Sequence, residues 1–405
     1  MKKEIWLLFL LFLPLNCQAF ELYSEYAILY NLDENTVLYE QNATRPIPIA
    51  SLTKIMTTIV AIEKITNLDE FVEIPATALE GLREQNAMVI GLKANEQVTF
   101  KDLLYASLLP SAADATNSLA ILVAGSKENF VALMNEKASA LQLENTHFTD
   151  TSGLDDEKNY STVSDMATVL RYALENSTFY EIFTSQEYMM SNGTLLASTL
   201  KYYTTRYALQ NTYIKGSKTG YTTPAGYCLA SIADDEDTHL LLVTANAPTA
   251  SRYPYHVVDA LTVYDYYFTN YQNKTLYNTE DVLYELPTKY SHESSFKVKA
   301  PNSLEKYLAN DTDLSTLTFQ YSGLETVTPF TPHEQIGTLK VFLEGEELTT
   351  IPVMYQGELT FSLWLWFQEY SIYIILGGIL LILISFFVHR KKRRKKSRKR
   401  KKRNL

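Results

Sequence analysis

Residues Tyr370 to Val388 are 19 consecutive positions without a charged side chain, and 13 of the 14 residues from Arg390 to Arg403 are basic. An apolar run of that length suits one membrane-spanning helix. Trp364 and Trp366 precede it, as aromatic residues do at an outer interface. The polybasic run directly after it predicts a cytoplasmic tail. At the other end, residues 1 to 19 read as a secretory signal. Lys2 and Lys3 supply its charged start, Ile5 to Leu13 a short apolar core, and Cys17-Gln18-Ala19 a small-residue cleavage site. A retained N-terminal anchor and a lipid-modified Cys17 are the alternatives for this leader; Pro14 and Asn16 fit the lipid signal poorly. The two ends together predict an exported body hung on the outside of the cell membrane by a single pass near the C-terminus.

That layout gives the charge its meaning. Of 36 Lys and Arg, 13 lie in the tail and two in the leader, which leaves 21 against 46 Asp and Glu between residues 4 and 389, a net of −25. A body this acidic lacks the basic face that nucleic-acid binding needs. The tail is a separate feature, and a nuclear-localisation reading of it conflicts with the leader and the spanning helix. Cys228 is the one cysteine beyond the leader, so no internal disulfide is expected and the core alone must hold the fold.

Within the body, Tyr26–Tyr30 and Thr36–Tyr39 alternate like strands around a turn-rich Asn31–Asn35, which predicts a hairpin. Pro46 and Pro48 then break the chain, and helical periodicity runs from Ser51 to about Thr66. A polar connection with little regular pattern reaches to Phe100. Phe100 to Val123 is helix-rich, with a break at Pro110, after which Ser111 or Asp114 suits a helix cap. Further helices are expected over Glu128–Leu141, capped by Ser126, and from Ser164 onward, with a loop at Thr149–Asp156. Gly226–Ala233 and Thr238–Ala245 are nearly continuous apolar runs, as in mid-sheet strands covered on both faces. Lys218-Thr219-Gly220 falls on the neighbouring strand, and Val257–Phe268 is a closing helix. Beyond about Tyr271 short alternating segments replace helical ones, which predicts a small all-β domain over 276–358. The expected divisions are 1–19 leader, 20–270 main domain, 276–358 β domain, 370–388 membrane helix and 389–405 tail.

The chemistry concentrates at Ser51-Leu52-Thr53-Lys54. Positions three apart share a helix face, so the hydroxyl and the ammonium meet beside the apolar stripe of Ile55, Ile59 and Ile62. Desolvation drives a lysine toward its neutral form, which accepts a proton from serine. The same spacing occurs at Ser198–Lys201, Ser294–Lys297 and Ser303–Lys306, so spacing alone does not choose. Order does. Ser51-x-x-Lys54 is followed by Ser111-Ala112-Ala113 and then by Lys218-Thr219-Gly220. In this the chain resembles the penicillin-interacting serine enzymes. Within them it more closely resembles the low-molecular-mass penicillin-binding proteins of the penicillin-binding protein 5 type, serine D-alanyl-D-alanine carboxypeptidases. The likeness extends through Ser152-Gly153-Leu154 and Tyr160-Ser161-Thr162 to the β domain and C-terminal anchor.

The resemblance implies an α/β (α+β) catalytic domain of the DD-peptidase/β-lactamase kind, an antiparallel sheet flanked by helices, with the all-β domain and one transmembrane helix added. It implies Ser51 as nucleophile, Lys54 as general base and Ser111 as proton relay. Lys218 and Thr219 would attract the substrate carboxylate, Gly220 would keep the strand edge open, and the N–H groups of Ser51 and Tyr221 would form the oxyanion hole. Arg252 is a candidate second carboxylate clamp. The implied partners are peptidoglycan stem peptides ending in D-Ala-D-Ala and, as covalent inhibitors, β-lactams. No cofactor and no metal is required; His147 and His239 lack companions at ligand spacing. One position departs from the family pattern, Ala113, where an asparagine amide is usual; Asp114 is the nearest polar residue. A class A-like β-lactamase and a catalytically impaired cell-wall-binding protein are the competing readings. No Glu-x-x-x-Asn segment stands between the second and third motifs to serve the former.

Overall fold

The structure, a computed structural model, describes residues 20–401; the expected leader lies outside the described residues. The chain divides after Tyr271 into two compact units, each with its own apolar core.

The first unit opens with β1 (Tyr26–Asn31) and β2 (Thr36–Gln41), the expected hairpin. A 3-10 turn over Ala50–Leu52 leads into α1 (Thr53–Lys64), whose residues Thr53 to Ile62 are all buried. A short pair, β3 (Phe71–Glu73) and β4 (Gln97–Thr99), lies in the stretch where little pattern was expected. There follow α2 (Phe100–Leu108), α3 (Ala113–Ala124), α4 (Lys127–Ala140) and α5 (Val163–Leu174). Ser126 caps α4 as expected, accepting from the Asn129 N–H at 3.1 Å. α5 begins earlier than expected, because the Thr162 hydroxyl, accepting from Asp165 N–H at 2.9 Å, is its cap.

The next region carried no sequence assignment. It forms α6 (Ser177–Thr184), the small hairpin β5 (Glu187–Met189) and β6 (Leu195–Ala197), and α7 (Thr199–Tyr207). Then come β7 (Ile214–Thr222), β8 (Gly226–Asp234), β9 (His239–Ala247) and α8 (Tyr255–Asn270). The main sheet is antiparallel in the order β2-β1-β9-β8-β7. Cys228–Ala233 and Leu240–Ala245 are buried at every position, and α5 and α8 both pack on β8 and β9, as the apolar runs required. β7 is left at the edge of the sheet with one side unpaired, which is where a further strand can add.

α8 also carries a histidine that sequence reasoning passed over. His256 is fully buried, stacked on Tyr227 at 4.9 Å and met edge-on by Tyr203 at 5.1 Å, and neither ring nitrogen has a hydrogen-bond partner. Burial pushes its pKa down to about 3. The folded ring therefore stays neutral while the unfolded ring takes a proton near pH 6.5, so this group's contribution to stability is lost as pH falls below about 6.5. His256→Phe keeps the stacking and removes the proton. Urea unfolding at pH 7.5 and 4.5 should show wild type losing about 2–3 kcal/mol more than the variant over that interval; equal losses would remove the argument.

The second unit comprises β10 (Tyr271–Tyr277), β11 (Val282–Pro287), β12 (Ser295–Lys299), β13 (Leu304–Ala309), β14 (Thr318–Gly323), β15 (Gln335–Leu343) and β16 (Glu346–Met354). The last three form one antiparallel sheet, and β11 pairs with β12. α9 (Leu363–Lys401) ends the described chain and contains an apolar stretch long enough to cross a membrane.

Candidate active site

Ser51 sits at a forced turn. Ala50 before it has φ +46°, a left-handed conformation that is unfavourable for a residue with a Cβ. Two glycines make room for that turn. A Cβ on Gly153 would lie 1.8 Å from the Ala50 carbonyl oxygen, and one on Gly220 would lie 3.1 Å from the Ser51 nitrogen. Gly153 itself has φ +79°, so it is required twice over. Gly153→Ala is expected to lower stability by about 3 kcal/mol or more and to unseat the Ser51 turn. Thermal unfolding and penicillin acylation of the purified variant check this; wild-type acylation would show that the turn survives.

Lys54, one helical turn on, is 2% exposed. Its Nζ is 3.0 Å from Ser51 Oγ and donates to the Ser152 carbonyl at 2.6 Å. Burial pushes its pKa down to about 8, and the Asp150 and Asp114 carboxylates limit the fall. A neutral amine has two N–H donors and one lone pair. With Ser152 taking an N–H, the lone pair is available to the Ser51 hydroxyl, whose proton then points at nitrogen. Ser152 is itself fixed by Asp150, which accepts from Ser152 N–H at 2.9 Å, from Ser152 Oγ at 2.8 Å, from Leu154 N–H at 3.0 Å and from Gly153 N–H. Neither Asp150 nor Ser152 was among the residues given a role from sequence. An aspartate two residues ahead of Ser-Gly, as in Asp150-Thr151-Ser152-Gly153, is a turn signal, but nothing local tells that this turn faces Lys54.

Lys218, on β7, is fully buried, with Nζ donating to the Thr219 carbonyl at 2.6 Å. Burial holds its pKa well below the usual lysine range, and the charge of Lys54 lowers it further. Thr219 Oγ1 donates to Thr199 Oγ1 at 2.7 Å, and Thr199 N–H donates to the Leu109 carbonyl at 3.2 Å. These two bonds tie β7 to the chain just ahead of Ser111. Gly220 meanwhile lies against the Ser51 turn, so the structure brings all three motifs together around β7.

Two expectations are corrected here. Ser111 and Asp114 were the candidate caps of α3, and neither caps it: the N-cap position is Ala112, without a side-chain bond. Ser111 instead adopts φ +68°, and its buried Oγ has no partner within the protein. Asp114 accepts from the N–H groups of Ile90, Gly91 and Leu92 at 3.3, 3.0 and 3.1 Å, which anchors that loop. With those bonds made, Asp114 does not replace the amide missing at Ala113. Ala113 is buried and contributes its N–H to the Met88 carbonyl at 2.7 Å.

The remaining candidates are more peripheral. Tyr221 follows Gly220 on β7 with a half-exposed ring 4.9 Å from Tyr227. Arg252 is exposed on the loop before α8, its carbonyl accepting from Tyr207 OH at 2.6 Å. The structure shows no bond from its guanidinium to the three motifs. Of the other Ser-x-x-Lys pairs, Ser198 Oγ caps α7 by accepting from Lys201 N–H at 3.2 Å, while Lys201 pairs with Glu187 at 2.9 Å. His147 Nδ1 meets the Lys158 carbonyl and His239 pairs with Asp33, and no cluster of metal-ligating side chains occurs among the described residues.

Comparison with known proteins bears on the same body. A family profile described as D-alanyl-D-alanine carboxypeptidase matches residues 15–249. The chain is similar to D-alanyl-D-alanine carboxypeptidase DacF of Bacillus subtilis, 26% identical over 332 residues that cover 81% of this chain and 83% of that one. It is 30% identical to D-alanyl-D-alanine carboxypeptidase DacA of Haemophilus influenzae over 288 residues, 67% of this chain and 69% of the relative. The crystal structure of penicillin binding protein 5 from Haemophilus influenzae superposes with a TM-score of 0.64 at 24% identity, covering 84% of this chain and 98% of that one, a likeness of fold.

Proposed function

Because this chain belongs to the D-alanyl-D-alanine carboxypeptidase family, we propose that Ser51 is the residue through which it acts, with Lys54 as its base. The protein is a serine-type D-Ala-D-Ala carboxypeptidase of cell-wall synthesis, and its substrate is peptidoglycan. The observation that carries the assignment is the contact of a buried, pKa-depressed Lys54 with Ser51 at 3.0 Å. The Ser51 oxygen attacks the carbonyl carbon of the penultimate D-alanine while its proton passes to the Lys54 amine. The N–H groups of Ser51 and Tyr221 receive the charge that develops on the carbonyl oxygen. The C–N bond then breaks, Ser111 relays the proton to the departing D-alanine nitrogen, and water hydrolyses the ester to free Ser51. The buried, unpartnered Ser111 hydroxyl supports that relay. Lys218 and Thr219 hold the terminal carboxylate, the substrate pairs with the open edge of β7, and Arg252 approaches as a second clamp.

A β-lactam presents the same carbonyl to Ser51, but its leaving group stays tethered, so the acyl-enzyme persists. The apolar stretch of α9 spans the cell membrane, with the catalytic unit outside and the basic tail in the cytoplasm; the charge pattern on either side of Tyr370–Val388 supports that orientation. Release of D-alanine from a pentapeptide ending in D-Ala-D-Ala tests the activity. The lifetime of the penicilloyl adduct separates it from a β-lactamase: minutes are expected, and turnover within seconds would contradict it.

A further inference from the structure

Three segments of the second unit meet where α9 begins. Lys289 N–H donates to the Val327 carbonyl and Val327 N–H to the Pro287 carbonyl, both at 3.0 Å. His292 N–H donates to the Thr360 carbonyl at 3.0 Å and Ser362 N–H to the Tyr290 carbonyl at 2.7 Å. Glu293 locks the junction by accepting from Thr360 N–H at 2.9 Å and Thr360 Oγ1 at 2.7 Å. α9 is pinned to this base as well: the Tyr290 and Tyr370 hydroxyls are 3.1 Å apart, and Lys289 Nζ is 3.8 Å from the Glu369 carboxylate.

The base presents apolar side chains to the outside. Phe330 is 65% exposed, Leu363 67%, Trp364 66% and Phe361 40%, and the Phe330 and Phe361 rings lie 5.1 Å apart. Phe330 is no floppy tip. Its turn is closed by Thr331 N–H to the Thr328 carbonyl at 3.0 Å and Thr328 N–H to Thr331 Oγ1 at 2.9 Å. Phe330 and Phe361 thus stand together as a fixed exposed apolar patch and not as scattered single side chains, the kind of surface that marks an interaction site.

The height of that base follows from α9. The charge-free run begins at Tyr370, and its 19 residues rise about 28 Å, close to the ~30 Å of a bilayer's hydrocarbon core. Glu369 and Tyr370 therefore mark the outer edge of the hydrocarbon, and the base that grips them lies in the headgroup layer, about 5–8 Å thick on each side. The six residue steps from Trp364 to Tyr370 climb about 9 Å along an upright helix and less along a tilted one, which puts Trp364, with Leu363 and Phe361 beside it, at the outer rim of the headgroup layer, where large aromatic side chains are favoured.

We propose that Phe330, Phe361, Leu363 and Trp364 form a foot that seats the β domain in the headgroup layer of the outer leaflet. The bilayer surface is then a partner of the domain itself and not only of the helix. The inference rests on the reading of α9 as a membrane-spanning helix.

The test uses the full chain with Cys17→Ser and Cys228→Ser, reconstituted in phosphatidylethanolamine–phosphatidylglycerol vesicles. A nitroxide is attached in turn through Phe330→Cys, Glu346→Cys and Ile379→Cys. Glu346 lies beyond the far end of β15, ~30 Å of strand from the base. Collision with oxygen, which concentrates in lipid, is compared with collision with a water-soluble nickel chelate. The expected oxygen-to-nickel ratio at 330 is several-fold above that at 346 and below that at 379. A ratio at 330 equal to that at 346, with 379 lipid-like, overturns the foot and leaves the spanning helix intact. A water-like 379 overturns the spanning reading and the foot with it. Shielding at 330 that vanishes as protein is diluted in lipid assigns the patch to a second copy and also overturns the proposal.

Discussion

Ser51→Ala is expected to release D-alanine no faster than buffer allows, a loss on the order of 10⁵-fold or more. The reason is local. The Ser51 turn, held by left-handed Ala50 and the two close glycines, aims one hydroxyl at one buried amine. Removing the oxygen leaves no bond to form. Alanine fits the same turn, so the variant should fold with wild-type stability, and its thermal transition checks that the loss is chemical. Nor should another serine substitute: Ser111 is buried at the head of α3, and Ser198 of a second Ser-x-x-Lys pair caps α7.

Lys54→Met should be nearly as severe, on the order of 10⁴-fold in acylation rate, and the double variant should be no worse than Ser51→Ala alone, because the two residues act as one unit. The pH dependence has a definite sign. With Lys54 as the proposed base, the neutral amine is the form expected to act; burial brings the pKa to about 8, so about a tenth of Lys54 is neutral at pH 7. Acylation by a penicillin should rise with pH and level off above about 8; a flat profile from pH 6.5 to 9 would remove Lys54 as base. Stability follows the same linkage. The folded pKa lies below that of the unfolded lysine, near 10.4, so the unfolded chain binds more protons between these values. The cost of burying Lys54 shrinks as pH rises through that window. Lys54→Met removes that cost, so the variant should be at least as stable as wild type at pH 7 while lacking activity. Burial first, and then the charge of Lys54, depress Lys218 in the same direction.

What could be read in advance was what short-range geometry determines. Ser51 and Lys54 share a helix face by spacing alone, and the apolar runs of β8 and β9 announced a sheet covered on both sides. The reading failed where long-range contacts decide. Lys54 is held by Ser152, 98 residues away. Asp114 resembles a helix cap in sequence but binds a loop more than twenty residues before it. Ser111 likewise has a capping residue's chemistry but not its backbone, since φ +68° turns it out of the helix. The stretch from α6 to α7 mixes short helices with three-residue strands, too brief for any periodicity to register. That stretch supplies Thr199, which ties β7 to Leu109, just ahead of the second motif. Arg252, proposed as a second carboxylate clamp, is exposed on the loop before α8, and nothing in its local sequence tells how it lies relative to the three motifs.

Ala113 sharpens the question that the site poses. The usual amide is absent, Asp114 is engaged elsewhere, and Lys54 is held instead by the Ser152 carbonyl that Asp150 fixes. The Asp150 turn therefore carries the positioning of Lys54, the proposed base, and the three motifs come together without a side-chain amide at 113.

The most direct test of the account is to label the folded full-length protein with a fluorescent penicillin at pH 8, digest it and locate the adduct by mass spectrometry. The expected result is a single penicilloyl ester on Ser51, absent from Ser51→Ala and strongly diminished in Lys54→Met. An adduct on any other serine, or no adduct on protein shown to be folded, would contradict it.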